Sequence, residues 1–165
     1  MKRDIPMPAL AIQECKPITD TAPHANRFFT HNGLTIKVEA TSRETNQSHS
    51  LIELTVPGHF PGAPLHYHQK FIESFYILSG QIHVTRGHET LVATPGSLIH
   101  MPLGVIHGYH NETAEPARFL VISTPGGFDA YFTDLIAWMK REPQWPFAEP
   151  DKLSAFGRHH DTYYI

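Results

Sequence analysis

A chain of 165 residues, 41% hydrophobic and 18% charged, can bury one core and is too short to expect two domains. Its net charge is −3, from 16 acidic against 13 basic residues, and the lysines and arginines are scattered with no basic run to track phosphates, which excludes nucleic acid as an expected partner. No apolar run approaches the roughly 20 residues of a membrane helix, residues 1–10 lack the apolar middle of a signal peptide, and Cys15 is the only cysteine. A cytoplasmic protein without membrane contact or intrachain disulfide is therefore expected, and any metal ligands must be His or carboxylate.

In chain order, residues 1–26 are rich in Pro, Thr and polar side chains and read as an arm with reach to a partner subunit. Strand-like stretches follow at 34–38 and 50–56, separated by the polar run 41–48. Further short strands are expected at 73–78, 81–85, 89–93, 98–101, 107–111 and 118–123, broken by Gly80, Gly87 and Gly96. Such regular spacing indicates an all-β barrel or a double-sheet jelly roll. After Gly127 the period changes: Phe128, Tyr131, Phe132, Leu135, Ile136, Trp138 and Met139 fall at helical spacing, predicting an amphipathic helix of about 12 residues. A second short helix is expected over 150–156, closed by Gly157, with 159–165 as a tail in which His159 and His160 are solvated.

The chemistry concentrates in two segments. On an extended strand His66 and His68 face the same side, with Tyr67 opposed. Gln69 and Lys70 can reverse the chain, so that Glu73 lies beside the histidine pair on the neighbouring strand as a third ligand. Pro102 and Gly104 then supply turn chemistry before a strand that opens near Val105, placing His107 at its start. Three imidazoles and a carboxylate suit one divalent Fe, Mn, Co, Ni, Cu or Zn per chain, without choosing among them. Four ligands satisfy a tetrahedral ion and leave an octahedral one two positions short. Phe75 and Ile77 alternate in register with Glu73, and Tyr109 with His107, so these residues and Met101 are the expected lining of an apolar pocket. Phe60, Phe71, Phe128 and Phe132 can add to it. His24, His31, His49, His59, His83, His88, His100 and His110 carry no assigned role, and His110 points away from His107.

Read together, the two segments resemble the paired motifs of the cupins. The first runs His-x-His, four residues, Glu, six residues, Gly as His66, His68, Glu73 and Gly80. The second runs Gly, five residues, Pro-x-Gly, two residues, His, three residues, Asn as Gly96, Pro102, Gly104, His107 and Asn111. The usual glycine five residues before the first His is missing, with Gly58 further upstream and Gly62 closer, which touches the entry turn and not the ligands. The resemblance selects a double-stranded β-helix, or jelly-roll barrel, over 27–125, with 126–165 as a helical segment and tail packed on it.

Within the cupins the chain is similar to those like quercetin 2,3-dioxygenase, through the run from Glu73 to Gly80 and through Thr124, Pro125, Gly126, Gly127 and Phe128 before the aromatic helix. That resemblance implies a metal-dependent oxidoreductase using dioxygen on a flavonol-like or enolisable aromatic compound. His66, His68 and His107 would hold the ion, and Glu73 would serve as ligand and proton acceptor. It also implies a homodimer. A non-redox isomerase, cyclase or lyase, and a small-molecule binding cupin without turnover, stand as alternatives.

Overall fold

The computed structural model describes residues 26–142 and 149–165. All but the last residue of the expected arm, together with Cys15 and His24, lies outside the described residues.

Among the described residues eleven strands and two helices follow one another as β1 (Phe28–His31), β2 (Leu34–Ala40), β3 (Ser50–Val56), β4 (Phe60–Tyr67), β5 (Ile72–Ser79), β6 (Ile82–Arg86), β7 (Glu89–Ala93), β8 (Leu98–Met101), β9 (His107–Asn111), β10 (Ala117–Thr124), α1 (Phe128–Met139), α2 (Pro150–His159) and β11 (Tyr163–Tyr164). One sheet has the order β1-β2-β3-β10-β5-β8 and the other β11-β4-β9-β6-β7. Every described pairing is antiparallel. This is the double-sheet jelly roll with a C-terminal helix.

Alternation builds the interior. Ile52, Leu54 and Val56 on β3, Phe119 and Val121 on β10, and Phe75 and Ile77 on β5 are all at most 3% exposed. Their strands lie side by side, so the inward faces form one apolar wall. Glu73 shares that wall: it is the one carboxylate on the buried face of β5.

Helix α1 buries Phe128, Tyr131, Phe132, Leu135, Ile136 and Met139, the i, i+3, i+4 stripe legible in the sequence, against β2 and β3. Each such burial contributes about 2 kcal/mol. Its start is fixed by polar contacts. Asp129 accepts hydrogen bonds from the Ser42 amide and from the Ser42 and Ser50 hydroxyls, and the Gly127 N–H donates to Ser50 Oγ at 2.9 Å. A carboxylate in the first turn also favours the positive end of the helix dipole.

Two expectations change. Glu73 does not lie beside the histidine pair: β4 and β5 belong to different sheets, so the carboxylate comes from across the barrel. The second concerns the tail, in which His159 is exposed as expected but His160 is not. Gly157 lies inside α2 instead of closing it, because a Cβ there would stand 2.6 Å from the Thr162 carbonyl oxygen and from the Tyr164 ring. That close approach turns the chain back onto the barrel, where Tyr163 and Tyr164 pair with Tyr67 and His66. His160 is half-buried against Tyr131 and Phe156. No described helix is long and apolar enough to cross a membrane.

Candidate metal centre

His66 sits near the end of β4, His68 one residue past it, and His107 opens β9 directly opposite His66 in the strand register. Glu73 faces them from β5. The four side chains are buried, and one donor atom from each lies within 4.8 Å of the others. The structure thus brings together all four residues that the spacing singled out.

The ring nitrogens that face away from this point are all tied to backbone. His66 Nδ1 lies 2.7 Å from the Pro64 carbonyl oxygen, His68 Nδ1 2.9 Å from that of Asp161, and His107 Nδ1 2.8 Å from that of Val105. A carbonyl only accepts, so each Nδ1 carries the proton and each Nε2 is left for the centre. That arrangement of outer partners fixes tautomer and ring orientation in imidazole metal ligands.

Charge inside the group is uneven. Burial, reinforced by the charge of His107, pushes His66 down to about 3, so it stays neutral. Burial alone would raise Glu73, but the hydrogen bond from His107, with the charge of that ring, outweighs it and holds the carboxyl well below the usual range. His107 moves the other way. Burial opposes its charge, yet the 2.7 Å contact of its Nε2 with Glu73 Oε2 raises it above an ordinary histidine. His68 Nε2 is 3.5 Å from the same oxygen, too far for a hydrogen bond, and this buried nitrogen has no hydrogen-bond partner. An orphaned buried polar atom costs about 1–3 kcal/mol. It marks a place for a further group, and three imidazoles with one carboxylate are the donor set that a divalent transition ion takes.

A largely apolar cavity opens on the centre. His66 and Glu73 are in its wall, with Phe75 and Tyr109 from the expected lining and Phe128 and Phe132 from α1. Ile77 and Met101 are buried but stand outside it, Met101 as the register partner of Glu73 on β8. Phe60 packs near the Tyr109 ring, and Phe71 stacks on His68 with centroids 4.2 Å apart.

Several residues at the centre carry no signal in the sequence. Asp161, at φ 57°, supplies the carbonyl that orients His68, while its carboxylate accepts the N–H groups of Gln69 and Lys70 at 2.9 and 2.6 Å. Tyr131 lines the cavity and shares a 2.6 Å hydrogen bond with the hydroxyl of Tyr164, whose ring packs on His66. Burial raises both phenols, and that of Tyr109, so they remain protonated.

Comparison with known proteins follows the same lines. Residues 52–123 match the family model described as the cupin domain. Over 70 residues the chain is 29% identical to quercetin 2,3-dioxygenase of Bacillus subtilis strain 168, a stretch covering 42% of this chain and 20% of that protein. Among solved structures, TT1209 from Thermus thermophilus superposes with a TM-score of 0.52 at 24% identity, over 59% of this chain and 88% of that one. The polyketide cyclase RemF from Streptomyces resistomycificus gives 0.50 at 23%, over 56% and 66%. The stretch that carries all four converging side chains thus matches the cupin domain and resembles part of quercetin 2,3-dioxygenase.

Proposed function

We propose that this protein is a metal-dependent, dioxygenase-like enzyme acting on a flavonol-like or enolisable aromatic small molecule. One observation carries the proposal: three buried imidazoles and a carboxylate converge at the wall of a cavity whose other walls are mostly apolar and aromatic. In this reading His66, His68, His107 and Glu73 hold one divalent transition ion. Bound there, such an ion supplies Lewis acidity toward a substrate oxygen and, where redox-active, a path for electrons to dioxygen.

The chain's own residues do the rest. Phe75, Phe128 and Phe132 offer ring faces and edges to a planar substrate and keep water from it. Glu73 stands in both the donor group and the cavity wall, so its ionised carboxylate is placed to accept the proton of a phenol or enol as the substrate seats. Tyr109 and Tyr131, kept protonated, are the hydrogen-bond donors available to a substrate oxygen turned away from the centre. The barrel, 27–125, would supply the centre and the segment 126–165 the lid of the cavity, in a chain that pairs as a homodimer.

The test is oxygen uptake. Protein loaded separately with Fe, Mn, Co, Ni or Cu is given a panel of flavonols and enolisable aromatics in an oxygen-electrode cell. Consumption of dioxygen with substrate, lost in Glu73→Gln, is the expected result. Turnover that persists without oxygen and with Zn would replace this reading by a Lewis-acid isomerase, cyclase or lyase. A ligand bound tightly and recovered unchanged would replace it by a binding protein.

A further inference from the structure

A second group of donors stands on the opposite face of the smaller sheet. β6 and β9 pair with His83 directly across from His110, and the two imidazoles stack 5.1 Å apart at 12° from parallel. Glu112, just past the end of β9, reaches both rings. Its Oε1 lies 2.8 Å from His110 Nε2 and its Oε2 3.7 Å from His83 Nε2. One donor atom of each lies within 4.8 Å of the others. Alternation along β9 turns His107 into the barrel and His110 out of it, so the sheet itself separates this cluster from the buried centre.

We propose that His83, His110 and Glu112 form a second, surface site for a divalent transition ion of the zinc type. Two imidazoles and one carboxylate favour Zn, Co, Ni or Cu over Ca or Mg, which seek oxygen ligands throughout. The strand register already places the two histidines together, so little backbone entropy remains to be lost there on binding. Closing on an ion asks only that the stacked rings tilt about χ2, a torsion with broad freedom in histidine. With both imidazoles neutral, the cluster presents two lone pairs and one negative charge to solvent. The side chain of His83 is 17% exposed, that of His110 33% and that of Glu112 64%, so an ion can reach the site from water and keep water on its remaining positions. Held there, it would clamp β6 to β9, the strand that delivers His107 to the interior.

The experiment counts ions. Metal-free protein is titrated with Zn2+ by calorimetry, and bound zinc is measured after dialysis, for the wild type, His110→Ala, Glu112→Gln and His66→Ala. The wild type should take two equivalents and His110→Ala one, with Glu112→Gln weakening that same phase. Ca2+ in place of Zn2+ should fill neither. His66→Ala, checked for folding by circular dichroism, should retain the phase that His110→Ala loses. Equal zinc content in the wild type and His110→Ala overturns the proposal. If the buried group takes no zinc, the wild type holds one equivalent and His110→Ala none. That result removes zinc from the buried group and leaves this proposal standing.

Discussion

At the scale of single residues, the centre competes with protons. The Glu73 carboxylate raises His107, so a cation binding there competes with a proton that His107 holds more firmly than an ordinary histidine. Zn2+ affinity of the buried group should therefore rise with pH until His107 is neutral, and each ion bound should release protons, as calorimetry in buffers of different ionisation enthalpy would detect. A separate titration governs the loop before β3. Hydrogen bonds from Arg27, at 2.8 and 2.9 Å, hold the Glu44 carboxyl at about 2 instead of 4.5. A depressed acid stabilises the fold above its unfolded value and loses that contribution as pH falls toward 2. Glu44→Gln should cost about 1 kcal/mol near neutrality, allowing for solvent screening, and nothing near pH 2, read from urea midpoints. Alternation and turn chemistry aimed the three histidines, whereas Glu73 was singled out by its spacing but not placed, since it reaches the centre from the other sheet. Asp161 was not legible, since it orients His68 through a backbone carbonyl that any residue type carries. Alternation likewise told which face Phe75 and Ile77 share, but not how far along β5 the cavity runs.

Elements were readable where periodicity had room to repeat. The strands from β5 to β10 and the twelve residues of α1 fall close to where their patterns put them. β4 is harder: Pro61, Gly62 and Pro64 look like turn chemistry, and the strand tolerates them through irregular register with β9. At Gly62 a Cβ would collide with the Tyr109 carbonyl, so glycine serves there as a point of close strand approach. β11 is two residues long, and no pattern of that length can repeat. Its docking depends on Gly157. Gly157→Ala should lift β11 from β4, with a loss of about 1–3 kcal/mol from overpacking, measured by thermal melting. Because Asp161 lies in the same turn, zinc affinity at the buried group should fall along with it.

For the whole molecule, the cupin motifs implied the barrel but not which strand joins which sheet. His66 and His107 belong to one sheet and Glu73 to the other, so an ion held by all of them fastens the two layers. Saturating zinc at about 100 times its dissociation constant should stabilise the fold by about 2.7 kcal/mol, and a chelator should reverse the gain in melting temperature. The separation of the sheets is set by rings such as Phe119, which packs edge-on against Phe75 of its own sheet and Tyr109 of the other. The centre therefore works as a caliper whose jaws are the two sheets and whose setting is the thickness of the core. Phe119→Ala, which touches no donor, should cost about 3–5 kcal/mol and also slacken the grip on metal.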